Sequence, residues 1–233
     1  MWPLKRKSPE IVTVSISPQK MALSWIKEEN KKITIKSYKP FSFEHLEFEK
    51  SIVFNPTKIK TLAKQFLEEN NIKKASFSIA VSGPSIFEKI VKLAKASPHK
   101  QDFKCEELKQ LNWNYTYIGP SPDNGFDFYI CGIKRELLFQ YRLLMINTSV
   151  TPVVITTSKT AQIELYKYLR GKEFRQSQLV IDLHKNNYDT QSIFTLEDIS
   201  KNFIFGKNST DELKSEYQSL ATNIGLFLLG NKS

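Results

Sequence analysis

The sequence predicts an α/β fold: a mixed sheet with helices. Three observations predict it. Near the start, three segments rich in β-branched residues follow one another through short turns. A segment of helical period then leads into a buried apolar strand. Later comes a strand–helix–strand–helix passage, which opens on an aromatic hairpin, WNYTYIG and FDFYICGI around PSPDNG.

Taken in order, residues 11–16 (IVTVSI) alternate and read as a first strand, and residues 21–26 (MALSWI) as its hairpin partner. ITIKSYKPF continues as a third strand, broken by Pro40. Asn55-Pro56-Thr57 caps a helix in which Ile59, Leu62, Ala63, Phe66 and Leu67 recur at helical spacing, and Asn70-Asn71 ends it. ASFSIAVSG is a buried strand. Three antiparallel strands leading through a helix to a parallel one is the order of the ribonuclease-H-like half of actin-type folds.

Residues 84–95 (PSIFEKIVKLAK) fit a helix with Ile86, Ile90 and Leu93 on one face, and fit an extended segment equally. Residues 101–111 read as a short helix. The aromatic hairpin follows, then a helix over about 134–147, a strand TPVVITT, and a helix SKTAQIELYKYLR with Ser158 as its N-cap. Residues 171–178 are a polar loop and SQLVIDLH reads as a buried strand. SIFTLEDI is a candidate for pairing back, and NFIFGKNST fits no single pattern. Ser209, Thr210 and Asp211 start a terminal helix, apolar at Leu213, Tyr217, Leu220 and Ile224.

Composition narrows the function. The chain has 233 residues, 40% hydrophobic and 25% charged, enough for a sizeable core and too apolar for wholesale disorder. Its net charge is +10 and its pI about 9.4. Lysines are spread along the chain, with one tight cluster at Lys5, Arg6 and Lys7 and a pair at Lys31 and Lys32. Nucleic-acid grooves interleave arginine with exposed aromatics, whereas this chain favours lysine and keeps its aromatics in apolar runs. A solvated basic surface facing an anionic membrane or an acidic partner is the expectation. Two distant cysteines, Cys105 and Cys131, form no disulfide framework and fit a reducing compartment. The basic start has no apolar stretch behind it, so no signal peptide is expected, and the longest apolar runs fall short of the roughly 20 residues that span a bilayer.

Residues that carry chemistry are scarce. His45, His99 and His184 show no metal-ligand spacing with the cysteines and acids, so no metal is expected. Asp182 and His184 stand two apart, a spacing that any strand places on one side. Ser82-Gly83-Pro84-Ser85 is a turn without the surroundings of a nucleophile elbow. Cys105, near Lys104 and Lys109, is either a mildly activated thiol or a half-buried helix cysteine. Lys58 to Lys64 reads as the solvated face of a helix. Trp113, Tyr115 and Tyr117 alternate on one strand face, either as core or as a surface for a partner peptide. The Asn-x-Ser/Thr triplets at Asn114, Asn147 and Asn208 carry no meaning in a cytosolic protein.

The element order and these residues together resemble the PilM family of type IV pilus and type II secretion assembly proteins, actin-like relatives of the cell-division protein FtsA. The carrying stretch is 77–169: ASFSIAVSG meeting a turn and GPSIFEKIVKL, then QDFKCEELKQL before the hairpin, then ICGIKRELLFQYRLLMINTSVTPVVITTSKTAQIELYKY, similar to the family's strand, K-E-x-x-x-x-Y, strand, helix passage. The resemblance implies a ribonuclease-H-like actin-type fold. Residues 1–74 would be the first part of its lobe, 75–150 the inserted α+β module with the partner-binding region, and 151–233 the remainder with the C-terminal helix. The chain is shorter than the family's usual length, so the second lobe is expected to be truncated and the terminal helix to pack back on the core.

The departures from the family bear on activity. Its first phosphate turn reads Asp-x-Gly; the matching positions here are Ser15, Ile16, Ser17, Pro18, Gln19 and Lys20, and Pro18 removes a donor. The second also reads Asp-x-Gly, and here it is Asp182, Leu183 and His184. Gly206 stands alone where paired adenine-loop glycines belong, in a chain with only 8 glycines. Glycine is what lets backbone N–H groups close on phosphate. The expectation is therefore no cofactor and no ATP hydrolysis, with a nucleotide-binding ATPase of atypical loops as the alternative and a nucleic-acid binder as a more distant one. What the resemblance implies instead is a non-catalytic scaffold, cytoplasmic and peripheral at the inner membrane. It would hold the cytoplasmic peptide of a bitopic partner in the PilN or GspL role, in a groove near residues 82–93 and 130–141. Ile86, Lys89, Ile90 and Lys134 are the candidate contacts, with Lys92 beside them, and self-association is an open possibility.

Overall fold

The computed structural model describes residues 10–43, 56–146, 152–171, 176–185, 190, 193–206 and 212–231. The Lys5–Lys7 cluster, His45, Asn55, Asn147, Asn208 and the helix start at Ser209–Asp211 lie outside them.

Strands β1 (Glu10–Ile16), β2 (Lys20–Glu29) and β3 (Lys32–Ser42) form the antiparallel meander. Asn30 and Lys31 turn β2 into β3, both at positive φ (53° and 62°), as a two-residue hairpin turn that matches the strand twist requires. Contrary to the sequence expectation, β3 runs unbroken through Pro40, which pairs with Ala22. Among the described residues its other neighbour reaches only Thr34 and Ile35, so there the donor that Pro40 lacks falls where no ladder needs it. Helix α1 (Pro56–Glu69) leads to β4 (Ala75–Val81), which lies parallel to β1.

A second sheet follows: β5 (Ile86–Leu93), two short 3-10 turns at Lys100–Asp102 and Glu106–Gln110, β6 (Leu111–Pro120) and β7 (Phe126–Lys134), in the order β5-β7-β6. Residues 86–93 are thus a strand, and the helix expected over 101–111 is two 3-10 turns. Asn124 and Gly125, at φ 68° and 93°, close the β6–β7 hairpin. A Cβ at Gly125 would meet the Leu93 carbonyl oxygen at 2.8 Å, so that turn needs glycine on both counts.

The chain then returns through α2 (Arg135–Ile146) to β8 (Pro152–Thr157), which lies parallel to β4. Helices α3 (Ser158–Arg170), α4 (Gln176–Lys185) and α5 (Leu196–Asn202), the short strand β9 (Ile204–Phe205) and α6 (Glu212–Gly230) complete it. The large sheet is ordered β8-β4-β1-β2-β3-β9. This is the ribonuclease-H-like arrangement, a meander continued by parallel strands. Thr157, not Ser158, caps α3: its side chain accepts from the Thr160 N–H.

The alternation of β1 explains the layering. Val12, Val14 and Ile16 face α1 and α2, packing with Ile59, Phe66 and Tyr141. Thr13 and Ser15 face α6, whose Asn223 donates to the Ala22 carbonyl and to Ser24 Oγ at 3.2 and 2.7 Å. Residues 220–228 of α6 are buried on all sides, between the sheet and α3, which is why IGLFLLG carries no polar face. The expected packing of this helix on the core is what the structure has.

The strand read over SQLVIDLH is instead helix α4. Leu179, Val180 and Leu183 are buried while Ile181 is 37% exposed. A strand would have buried 179, 181 and 183 together. A short apolar run carries no period long enough to separate the two, and packing against β6 selects the helix. SIFTLEDI likewise forms α5 instead of pairing back, with Thr195 and Asp198 in a reciprocal capping box.

Candidate partner-binding groove

Two polar hollows flank β4. The first, about 310 Å3, lies where β1 and β4 end and is lined by Ser15, Ser17, Lys20, Ser82, Ser158 and Thr222, among others. It is the site of the first expected phosphate turn. Ser17 is spent on the turn itself, accepting from the Lys20 N–H at 3.1 Å. Lys20 Nζ pairs with Glu216 at 2.5 Å, so the cation of the turn already has a carboxylate. Glu216 sits at a kink in α6 (φ −123°, ψ 21°), where Tyr38 donates its hydroxyl to the Glu216 carbonyl at 3.2 Å.

Asp182 does not meet Ser15 and Ser17. The expected second phosphate turn does not exist, because Asp182 and His184 lie on α4. The Asp182 carboxylate accepts from Tyr166 at 2.5 Å and from Gln178 at 2.7 Å. Burial, then that carboxylate, push the Tyr166 hydroxyl up to about 12. Gly206 packs against β3, with its N–H donating to the Ile35 carbonyl.

The second hollow, about 340 Å3, separates the two sheets. One wall is β8, the last strand of the large sheet; among the described residues no strand pairs with its outer side. The opposite wall is the face of the small sheet carrying Asn112, Asn114, Cys131 and Ile133, with Leu138 of α2 at one end and Trp113 with Lys100 at the rim. Lys100 reaches the Trp113 carbonyl at 2.9 Å and lies over its ring at 4.7 Å. Gly132 forms the floor. A Cβ there would stand 2.9 Å from Leu111 and 3.3 Å from Trp113, so the smallest residue lets the two strands pack.

A hydrogen-bond chain holds the two walls together. Tyr129 donates to Glu88 at 2.6 Å, its oxygen lies 2.8 Å from Thr157 Oγ1, and Thr157 lies 3.0 Å from Thr160 Oγ1. Lys159 completes it, 3.3 Å from Glu88. Burial raises the Cys131 thiol pKa above its ordinary value. Cys105 is raised as well, by burial and by its contact with Glu107 at 2.9 Å, opposite to the direction an activated thiol takes. Among the described residues no group of three or more metal-ligating side chains occurs, and no helix is long and apolar enough to cross a membrane.

The sequence-predicted contacts fall beside this groove. Ile86 and Ile90 point toward the body of the protein and pack into its two large cores. Lys89 takes the other face of β5, with Phe87 and Val91. Lys92 is paired with Asp123 at 3.2 Å. Lys134 is exposed at the end of β7, where its neighbour Ile133 pairs with Ile86. Trp113 packs edge-on to Phe103 at 5.7 Å in an aromatic core, the first of the two readings weighed for it, and also lines the hollow. Ile155, Thr156 and Thr157 went unnoticed, since a strand's sequence does not say that it ends a sheet.

No family model matches the chain, and no curated protein matches its sequence. Among solved structures it is similar to a chain of the PilM-PilN type IV pilus biogenesis complex, with a TM-score of 0.63 at 10% identity over 95% of this chain and 98% of that one. Looser likenesses run to the cytoplasmic domain of EpsL, an inner-membrane component of the type II secretion system of Vibrio cholerae (TM-score 0.41, 8% identity, 65% and 57% covered), and to a Bacteroides thetaiotaomicron protein with an actin-like ATPase fold (TM-score 0.39, 10% identity, 95% and 99% covered). At such identity the first likeness is one of fold. The PilM-like, actin-type fold that the sequence resembles is the fold this chain has.

Proposed function

We propose that the chain is a non-catalytic scaffold of a type IV pilus or type II secretion assembly platform, held at the cytoplasmic face of the inner membrane through the cytoplasmic peptide of a membrane partner. The observation that carries this reading is the side of β8 that no strand among the described residues pairs with, facing the small sheet across a hollow of about 340 Å3. An extended peptide entering there gains main-chain hydrogen bonds from β8 and side-chain contacts from Asn114, Ile133 and Leu138. The PilM-PilN complex, whose fold the chain shares, supports a partner of the PilN kind. The hollow at Ser15 supports the absence of nucleotide chemistry: its lysine is paired to Glu216, and among the described residues no aspartate lines it.

The test begins with capture of a bitopic membrane protein by the full chain, followed by fluorescence anisotropy with that protein's cytoplasmic peptide. Leu138→Glu and Thr156→Arg, which place a charge and bulk in the groove, are expected to weaken the peptide on the order of tenfold or more. Peptide binding indifferent to both substitutions overturns the groove. Calorimetry with magnesium and ATP is expected to show no saturable heat, and a saturable one returns the nucleotide-dependent reading.

A further inference from the structure

Among the described residues, none covers one face of helix α2. Leu137 and Tyr141 are buried, at 6% and 2% exposure, and anchor the helix to the sheet. Around to the outside, Arg135, Phe139, Arg142 and Leu143 recur at i, i+4, i+7 and i+8, one stripe on an α-helix. Phe139 is 60% exposed and Leu143 40%, with both arginines exposed beside them. Lys134, also exposed, stands just before the helix. A solvent-facing phenylalanine at the centre of a stripe, with a leucine one turn on and arginines alongside, has the make-up of a surface that enters the boundary of an anionic bilayer. Glu136, at the stripe's border, is the one acidic residue of the helix.

We propose that this face of α2 rests on an anionic lipid surface. The chain's net charge of +10 favours that occupant over a second copy, which would bring +10 against +10. Continuity with the groove favours it too. Leu138 lines the peptide groove and Phe139, the next residue, projects outward. A peptide tethered in a bilayer and held in the groove draws this side of the molecule toward the lipid.

The inference rests on the membrane attachment proposed above, yet its test needs no partner. The full chain is sedimented with vesicles of phosphatidylcholine alone and of phosphatidylcholine mixed with phosphatidylglycerol. Binding is expected to the mixed vesicles only, weakening as salt rises. Phe139→Ser with Leu143→Ser is expected to weaken it on the order of tenfold, and Arg135→Gln with Arg142→Gln to weaken it and flatten its salt dependence. Lys58→Gln with Lys64→Gln removes equal charge from α1 and is expected to leave binding unchanged, with circular dichroism confirming that each variant folds. No binding to mixed vesicles, equal binding to neutral ones, or as large a loss from the α1 pair as from the arginine pair overturns the proposal. A stripe that serves a protein leaves the vesicles bare and gives the first of those results. Bare vesicles with intact peptide binding remove the lipid face alone; bound vesicles with no peptide binding remove the groove alone.

Discussion

The hydroxyls of Tyr129 and Thr157 lie 2.8 Å apart and join the small sheet to the cap of α3. Tyr129 donates its hydrogen bond to Glu88 at 2.6 Å, so Thr157 is the donor to Tyr129 and Thr160 supplies the donor to Thr157. Burial, reinforced by the Glu88 charge, holds the tyrosine hydroxyl protonated far above its usual range, which keeps it a donor. Tyr129→Phe deprives Glu88 and Thr157 of this partner, and is expected to cost about 1–3 kcal/mol in urea unfolding. Because Thr157 also lines the groove, peptide affinity should fall with it.

The Lys20–Glu216 and Asn223 contacts both tie α6 to the meander, and their weights should differ. Lys20 has 48% of its side chain exposed, so Lys20→Ala is expected to change stability by less than about 1 kcal/mol. Asn223 is fully buried between the Ala22 carbonyl and Ser24. Asn223→Ala should cost about 1–3 kcal/mol, read from the same unfolding curves.

Gly225 is where α6 crosses α3. A Cβ there would stand 1.9 Å from the Ala161 carbonyl oxygen, and backbone cannot swing aside as a side chain does. Gly225→Ala is expected to cost at least about 3 kcal/mol, or to leave the chain unfolded on expression, although alanine is the better helix former.

Alkali should unfold the protein through its tyrosines. The Tyr166 hydroxyl is raised to about 12, by burial and then by Asp182, and burial raises Tyr141 further. In the unfolded chain these groups ionise near pH ~10. Above that pH the unfolded state holds fewer protons than the native one, so stability is fully present below about pH 10 and is lost as pH climbs toward 12. Absorbance of tyrosinate is expected to rise in two stages, the second coinciding with loss of far-ultraviolet dichroism. Tyr166→Phe should remove part of the second.

Cys131 offers a probe of the groove. Its thiol lies 3.8 Å from Thr160 Oγ1 and its pKa is raised by burial. Labelling with a thiol reagent at pH 8 is expected to be slower than for a free thiol, and slower again with peptide bound.

Much of this was written locally. IVTVSI alternates so plainly that its two faces could be assigned before any partner strand was known, and the helix over 56–69 carries its own period. The missing glycines around Ser15 and Pro18 are visible in the chain itself. Other features had no local signal. SQLVIDLH became a helix because Val180, not Ile181, found a partner in the core. Residues 86–93 became a strand because β7 lay ready to pair with them. The groove draws on residues from Val81 to Thr157, and its open wall exists because β8 happens to end the sheet. Periodicity is a property of neighbours along the chain, so it can be read there. The groove, the Gly225 crossing and the displacement of Asp182 from Ser15 arise from contacts between distant segments, and those energies appear only once the segments meet.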